Sequence, residues 1–374
     1  MRMIKACLGF ALLCASACSA DTQQLVLPAG FSIEQIASVK GARQMALSDN
    51  GTLFVGTQRE GEVSAIARIG QPDQGEVVQI AEKLKMPSGV AGHRGRLDVG
   101  AVNRILVFDD IENNLHPSAP HRVLTEGLPD KQHHGWKYLK FGPSGELYVP
   151  VGAPCNVCAE EDERFASILT MNPQSGTTSV FASGIRNTVG FDWHPVSGEL
   201  WFTDNGRDML GDDIPAEEVN RAPKAGLHFG FPYIHAGDIP DPVFGSQRGS
   251  REYVAPEIKI QAHSAALGAV FYKGGYEHGN SGGNFPAKYT NALFVAEHGS
   301  WNRSSKVGYQ VGVVTFDEYV ANYQPFVTGW LQDQKNWGRP NDVLVLPDGS
   351  LLISDDQAGA IYQVRYQEPQ APAD

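Results

Sequence analysis

The chain has 374 residues, of which 42% are hydrophobic and 19% charged, as in an ordinary globular protein. Its net charge of −12 would repel the phosphate backbone of a nucleic acid, so we expect no nucleic-acid partner. The 41 glycines and 23 prolines predict many turns, while recurring apolar runs argue against disorder. We therefore expect a turn-rich fold with few or no long helices.

Residues 1–20 have the pattern of an export signal: a basic end, an apolar stretch and then small residues. The apolar stretch is shorter than the roughly 20 residues that span a membrane. Cleavage after Ala20 fits the small residues before it. Alternatively, residues 1–17 are a lipoprotein signal and Cys18 carries a lipid anchor. We expect an exported protein in the periplasm, either free or anchored to the outer membrane.

Outside this signal the chain contains two cysteines, Cys155 and Cys158, in a CxxC motif. Such a motif is typical of a redox dithiol, half of a zinc site or a haem attachment. Haem attachment requires a histidine at the next position, where this chain has Ala159, and no further cysteines could complete a zinc site. In an oxidising compartment we favour a small loop-closing disulfide, with a redox role as the alternative.

A turn followed by a short apolar strand recurs six times along the chain, for example SDNG-TLFVGT, GPSG-ELYVPV and LPDG-SLLISD. The first leucines of these strands are Leu53, Leu97, Leu147, Leu200, Leu293 and Leu351. Successive intervals are 44, 50, 53, 93 and 58 residues, and most of them are close to the roughly 40–50 residues of a four-stranded propeller blade. A two-sheet sandwich is the alternative, since it also has short, evenly spaced strands.

The 93-residue interval is rich in proline, which disfavours central strands, and we interpret residues 205–265 as a long irregular insertion. The sequence therefore predicts a single all-β domain over residues 21–374, a six-bladed β-propeller of four-stranded antiparallel blades. A strand near residues 31–36 is expected to pair with the last blade near residues 361–364. This closure would remove the open edge of the ring.

Several turn segments carry more polar side chains than a turn requires. His133 and His134 precede the third repeat, and a histidine can act as a base near neutral pH, although adjacent histidines are also common on plain surfaces. Arg186 and Asn187 open the fourth repeat with a cationic fork and an amide that suit a carboxylate or quinone oxygen. The alternative is an arginine that holds loop carbonyls.

Acidic residues are concentrated between residues 204 and 218, where a calcium site or a solvated acidic loop is possible. Two later segments, residues 297–303 and 338–342, are rich in side chains that bind anions or stack on flat rings. Repeat symmetry would bring these segments and Arg186 together around the axis. We expect a site there for a flat, multiply anionic ligand.

The motifs HHGWKYLKFGP, VPVGAPCNVC, GIRNTVGF, EHGSWNR and GRPNDV occur in this order along essentially the whole mature chain. With them the chain resembles the soluble sugar dehydrogenases that depend on pyrroloquinoline quinone (PQQ), most closely their sorbosone dehydrogenase-like branch. The resemblance implies PQQ across the top of the propeller channel. It also implies that His134 is the general base, that His133 contacts substrate, and that Arg186 and Asn187 lie over the quinone.

The same resemblance implies calcium beside PQQ, held by the backbone carbonyls of Gly206 and Arg207. An Arg-x-Arg pair that grips PQQ carboxylates in the glucose-oxidising branch becomes Arg339 and Asn341, so one of its two cations is missing. A lysine of that branch is also absent. The resemblance implies that His298 or Arg303 replaces it.

The implied reaction is oxidation of an aldose or related sugar aldehyde at its anomeric carbon, with hydride transfer to PQQ. The sequence carries no haem motif, so we expect electrons to leave to an external quinone or cytochrome. Two alternatives remain at this stage. One is a calcium-dependent lactone hydrolase on the same fold, and the other is a binding propeller without catalysis.

Overall fold

The computed structural model describes residues 22–274, 285–317 and 320–368. The predicted export signal and Cys18 lie outside the described residues. The described part of the chain forms an all-β, six-bladed propeller, which confirms the predicted fold class. None of its helices is both long and apolar enough to cross a membrane.

The first strand, β1 (Phe31–Ser38), belongs to the last blade, and the next twelve strands form three blades in chain order. Blade one consists of β2 (Met45–Leu47), β3 (Leu53–Gly56), β4 (Val63–Ile66) and β5 (Val77–Ala81). Blade two consists of β6 (Gly89–His93), β7 (Arg96–Gly100), β8 (Ile105–Phe108) and β9 (Arg122–Thr125). Blade three consists of β10 (Lys140–Phe141), β11 (Leu147–Val151), β12 (Ser167–Met171) and β13 (Thr178–Ser183).

The fourth blade contains an excursion between its third and fourth strands. Blade four begins with β14 (Phe191–Trp193), β15 (Leu200–Asp204) and β16 (Glu217–Ala222). The excursion holds β17 (Leu227–His228), β18 (Ile234–His235) and β19 (Ile239–Pro240). The blade is completed by β20 (Ile258–Ile260), and β17 pairs in parallel with β13 of blade three.

The remaining strands form the last two blades and one small hairpin. Blade five consists of β21 (Ala266–Phe271), β22 (Leu293–Glu297), β23 (Gln310–Asp317) and β24 (Val320–Val327). The hairpin consists of β25 (Leu331–Gln332) and β26 (Lys335–Asn336). Blade six consists of β27 (Pro340–Val345), β28 (Leu351–Asp355) and β29 (Ala360–Tyr366), with β1 as its fourth strand. Single 3-10 turns in the described ranges lie at Thr22–Gln24, Ile111–Asn113, Gly245–Gln247 and Ala287–Tyr289.

Pairing of β1 with β29 closes the ring. The two strands run antiparallel, with Ile33 opposite Val364 and Gln35 opposite Tyr362. These are the segments whose pairing the sequence predicted, so that prediction is confirmed. Because the N-terminal segment completes a blade begun near the C-terminus, the ring has no open edge at the junction of the chain ends.

The hydrophobic core is divided among the interfaces between neighbouring blades. Phe54 of blade one packs in one cluster with Leu97 of blade two, whereas Leu53 packs with Leu352 of blade six. Successive side chains of β3 therefore point into two different interfaces, as the alternation of a strand requires. Each blade buries both of its faces in this way, so the blades stabilise one another around the ring.

The insertion expected over residues 205–265 is shorter than predicted. β16 and β20 lie within this range and are ordinary strands of blade four, so the excursion is confined to residues 223–257. Pro215 and Pro223 flank β16 without interrupting it, because a proline is tolerated where no ladder hydrogen bond is needed.

Candidate functional site

A cavity of about 340 Å³ collects side chains that precede the first strands of different blades. Arg43 precedes β2, Arg186 and Asn187 precede β14, and Arg339 precedes β27. The first strands of neighbouring blades contact one another around the axis. Residues at their starts can therefore meet at one end of the ring, although they are far apart in sequence.

Six of the residues predicted from the sequence line this cavity. They are His134, Arg186, Asn187, Gly206, His298 and Arg339. The basic and imidazole groups that were expected to share one rim thus lie around one cavity. Trp136 and the largely exposed Trp301 add flat aromatic surfaces to the same wall.

Four other predicted residues are not part of the cavity wall. His133 is exposed, and its ring centre lies 4.1 Å from that of His134. The guanidinium of Arg207 forms an ion pair with buried Asp241. Arg303 binds the acidic loop, with Nη2 donating to the Asp213 carboxylate at 2.9 Å.

The fourth of these residues, Asn341, is buried at the start of β27. With its amide oriented so that Oδ1 faces Arg43, this oxygen accepts hydrogen bonds from Nη1 and Nη2 of Arg43 at 3.2 Å each. Asn341 therefore acts on the cavity through the Arg43 guanidinium.

His134 is buried and held in one orientation. Its Nδ1 lies 2.8 Å from the carbonyl oxygen of Ala153, so Nδ1 donates its proton there and Nε2 keeps a free lone pair. Burial lowers the pKa of His134 well below 6.5, and the charge of Arg186 lowers it further. Because its pKa is lowered in this way, His134 is neutral at pH 7. A Cβ at Gly152 would lie 2.5 Å from the Cβ of His134, so glycine is required behind this histidine.

Arg186 is fixed by Asn156, a residue of the CxxC loop that the sequence did not indicate as part of the site. Its Nε donates to the carbonyl oxygen of Asn156 at 2.8 Å, and its Nη2 donates to the Asn156 side-chain oxygen at 3.1 Å. Nη2 also forms an ion pair with Asp208 at 3.0 Å. Asn156 exchanges two further hydrogen bonds with the Asp208 backbone, at 2.9 and 3.1 Å. Asn156 thus connects Arg186 to the acidic loop.

The Asn156 loop is closed by a disulfide between Cys155 and Cys158. Because Asn156 lies between the two cysteines, the bond restricts the short segment that holds Arg186 and Asp208. This arrangement gives the CxxC motif a structural connection to the cavity wall.

Asp356 joins two other groups of the cavity wall. One of its carboxylate oxygens accepts from Arg43 Nη1 at 2.8 Å, and the other lies 2.8 Å from Nε2 of His298. Burial lowers the pKa of His298. The positive charges and hydrogen bonds around Asp356 hold the pKa of its carboxyl far below its usual range, despite its burial. Asp356 is therefore ionised and ties blades one, five and six together.

Buried acids organise the backbone around the cavity. Asp204 accepts the amide hydrogens of Arg186 and Asn187 at 2.8 and 2.6 Å. Glu217 accepts from the amide of Gly206 at 2.8 Å, and burial raises the pKa of Glu217 to about 8. Burial also raises the pKa of Asp204. These acids consequently carry less negative charge at neutral pH than ordinary carboxylates, which leaves the cavity more attractive to anions.

The calcium prediction concerns the carbonyl oxygens of Gly206 and Arg207 in this loop. Neither oxygen accepts a hydrogen bond from the described residues, so neither is committed to a protein donor. In the same part of the chain, no group of three or more His, Cys, Asp or Glu side chains is arranged to hold a metal ion. A calcium ion at this loop would therefore depend on backbone oxygens.

Sequence comparisons relate the chain to one protein along nearly its whole length and to two family models along parts of it. Residues 120–296 match the model described as Glucose / Sorbosone dehydrogenase, and residues 244–367 match the model described as TrAA12-like. An uncharacterized protein of Borreliella burgdorferi is 33% identical over 364 residues, which cover 93% of this chain and 92% of that protein.

Solved structures with the same architecture include three proteins of low sequence identity. The holo PQQ domain of pyranose dehydrogenase from Coprinopsis cinerea is 19% identical, with a TM-score of 0.71, over 91% of this chain and 97% of that one. A calcium structure of a Trichoderma reesei family AA12 enzyme is 18% identical, with a TM-score of 0.72, over 92% and 97%. PQQ-bound aldose sugar dehydrogenase from Streptomyces coelicolor is 17% identical, with a TM-score of 0.63, over 91% and 100%. At these identities the likeness establishes the fold.

Proposed function

We propose that the chain, which belongs to the same family as its Borreliella burgdorferi relative, is a PQQ-dependent oxidoreductase. The proposal is supported by the match of nearly half of the chain to the Glucose / Sorbosone dehydrogenase model. Its substrate would be an aldose or a related sugar aldehyde, oxidised at the anomeric carbon. The observation that carries the proposal is the convergence of His134, Arg186 and Arg339 on one cavity.

The residues present suit PQQ, which is a flat quinone that bears several carboxylates. Arg43, Arg59, Arg186 and Arg339 contribute guanidinium groups to the cavity wall. Guanidinium forks match carboxylates in shape and charge. The aromatic faces of Trp136 and Trp301 suit a planar ring, and the carbonyls of Gly206 and Arg207 would hold the accompanying calcium ion.

When bound, PQQ supplies the electrophilic carbon that accepts a hydride from the sugar. The chain's own contribution is a base and a set of fixed charges. His134 is neutral, and its Nε2 lone pair is free to take the proton of the substrate hydroxyl. The charge of Arg186 is held in place by Asn156 and Asp208, so it can stabilise developing negative charge without reorganising.

The further parts of the proposal concern export and electron transfer. We propose that the protein works in the periplasm, free or anchored through Cys18, because residues 1–20 have the pattern of an export signal. Electrons would pass to a separate quinone or cytochrome. The sorbosone-like branch is part of the proposal on the strength of the EHGSWNR motif at Glu297–Arg303.

The test is reconstitution of the purified protein with PQQ and calcium, followed by a panel of aldoses and sugar aldehydes with an artificial dye as acceptor. Dye reduction that requires both PQQ and a sugar is the expected result. Lactone opening without PQQ would instead identify a lactone hydrolase, and tight PQQ binding without turnover would identify a binding module. Either of these results would overturn the proposal.

A further inference from the structure

Arg43 is a buried cation in the cavity wall that the sequence motifs did not indicate. It lies just before β2 in blade one, and 5% of its surface is exposed. A buried guanidinium is costly unless acceptors satisfy it. The acceptors around Arg43 therefore show which of its donors the protein already uses and which remain for a ligand.

Two groups of blade six hold the end of the Arg43 side chain. The Asp356 carboxylate accepts from Nη1 at 2.8 Å, and Asn341 Oδ1 accepts from Nη1 and Nη2 at 3.2 Å. The Trp136 ring centre lies 6.0 Å from the guanidinium carbon. Nε, in contrast, is buried and has no acceptor among the described residues. The side edge of the fork, formed by Nε and Nη2, thus retains unused donors.

Arg339 lies near Arg43 on the same wall. Its Nε and Nη2 donate to the carbonyl oxygens of His298 and Gly299 at 2.8 and 2.6 Å. No carboxylate side chain in the described ranges forms an ion pair with this guanidinium. Burial lowers the pKa of Arg43, Asp356 opposes this effect, and the charge of Arg339 lowers the pKa further. Of these two neighbouring guanidiniums, Arg43 is paired with a carboxylate, that of Asp356, and Arg339 with carbonyl oxygens, which leaves an excess of positive charge.

This arrangement accounts for Asn341 at the position where the resemblance leads one to expect a second arginine. Asn341 does not replace that cation, but it contacts Arg43, which reaches the same wall from blade one. We propose that Arg43 supplies the second guanidinium that binds a carboxylate of the cofactor, and that Asn341 and Asp356 are positioning residues for it. The inference rests on the proposed function, because the cofactor in question is PQQ.

The test compares the affinity of the full chain for PQQ in the presence of calcium, measured by calorimetric titration. Arg43→Met is expected to bind PQQ about ten- to hundredfold more weakly, which corresponds to a lost charge-assisted hydrogen-bond pair. Arg43→Lys retains the charge opposite Asp356 but not the fork, and is expected to recover part of the loss. Arg104→Met removes a half-exposed arginine paired with Glu126 and is the matched control.

A second ligand separates carboxylate binding from a general loss of structure. PQQ trimethyl ester has the same ring but no carboxylate charge, so Arg43→Met should change its affinity little. Equal weakening of PQQ and the ester, or an unchanged affinity for PQQ, would overturn the role of Arg43. Failure of the wild-type protein to bind PQQ would instead contradict the proposed function itself. Thermal unfolding without ligand shows whether each variant is folded.

Discussion

The carboxylate of Asp355 accepts a hydrogen bond from the backbone amide of Arg339 at 2.8 Å, and Asp204 accepts one from the amide of Arg186 at the same distance. Each aspartate ends the second strand of its blade, and each arginine precedes the first strand of that blade. The repeat therefore places an acid where it fixes the backbone from which a cavity arginine extends. The positions of Arg186 and Arg339 in the cavity wall are therefore a consequence of the blade repeat.

Removal of the Asp355 carboxylate should destabilise the protein. Its Oδ1 accepts from the amides of Arg339, Gln357 and Ala358 at 2.8, 3.0 and 2.8 Å. Asp355→Ala would leave these donors without their acceptor, and we expect a loss of about 2–4 kcal/mol in the free energy of unfolding. Urea denaturation measures it. Asp73→Ala, at an exposed surface position, is the control, and an equally small change in both variants would show that Asp355 does not hold this turn.

The blades could be predicted because each repeat has one strong local signal. Leu53 and Leu351 are the first residues of β3 and β28, and both are fully buried between blades. Such leucines follow a turn by a fixed, short spacing, so they are visible in the sequence alone. The closure by β1 was predictable for a different reason: the last blade of a propeller needs a fourth strand to cover its open edge.

The cavity could be predicted only in part. Arg186 and Arg339 occur in recognisable motifs, whereas Arg43 and Asp356 form their ion pair across 313 positions of the chain and belong to no shared motif. Asn156 lies inside the CxxC motif, and that motif predicts a loop-closing disulfide without indicating a role for the asparagine side chain. A signal for Arg43 does exist, since it precedes the first strand of its blade as Arg186 does in blade four.

His134 should be required for turnover and should titrate below the usual range. His134→Ala is expected to reduce kcat by about 10²- to 10⁴-fold, because the base is lost. A base must be unprotonated, and burial lowers the pKa of His134, so the neutral form persists into acid solution. The acid limb of kcat/KM against pH should therefore lie below 6.5 for the wild-type protein reconstituted with PQQ and calcium.

The control for His134 is His116→Ala, which alters an exposed histidine outside the cavity. Affinity for PQQ, measured by titration, should remain largely intact in His134→Ala. Near-normal turnover in this variant would exclude His134 as the base. An acid limb at or above pH 6.5 in the wild type would show that its pKa is not lowered in the working enzyme.

Opening the Cys155–Cys158 loop should loosen Arg186. The disulfide restricts Asn156, whose side-chain amide makes one hydrogen bond to Arg186 and two to the Asp208 backbone. Its backbone carbonyl accepts a further bond from Arg186, which Asn156→Ala would retain. We expect Asn156→Ala to weaken PQQ binding and to cost about 1–3 kcal/mol of folding stability. Reduction with dithiothreitol should act in the same direction, because the loop gains freedom when the bond is broken.

Val157→Ala is the matched control in this loop, since it removes a side chain between the same cysteines without removing a hydrogen-bonding group. PQQ affinity and unfolding temperature should be measured for both variants, before and after reduction. If reduction leaves the PQQ affinity of the wild type unchanged, the disulfide does not support the site. In that case the effect of Asn156→Ala would have to come from Asn156 alone.

Lys137 should make the stability of the fold depend on pH in alkaline solution. It is almost fully buried, its Nζ donates to the carbonyl oxygen of Gly135 at 2.9 Å, and burial lowers its pKa to about 7. In the unfolded chain the pKa of a lysine is about 10.4. Between pH 7 and this value the unfolded chain therefore binds more protons at Lys137 than the folded protein does. The free energy of unfolding should therefore rise with pH, by about 2 kcal/mol from pH 7 to pH 9 on account of this residue.

Buried acids such as Glu217 oppose this rise, so the contribution of Lys137 is obtained from the difference between the wild type and Lys137→Met. Urea denaturation at both pH values should show that Lys137→Met lacks this rise, whereas Lys224→Met, at an exposed position, retains it. An identical pH dependence in Lys137→Met and the wild type would mean that Lys137 is charged in the folded protein at neutral pH.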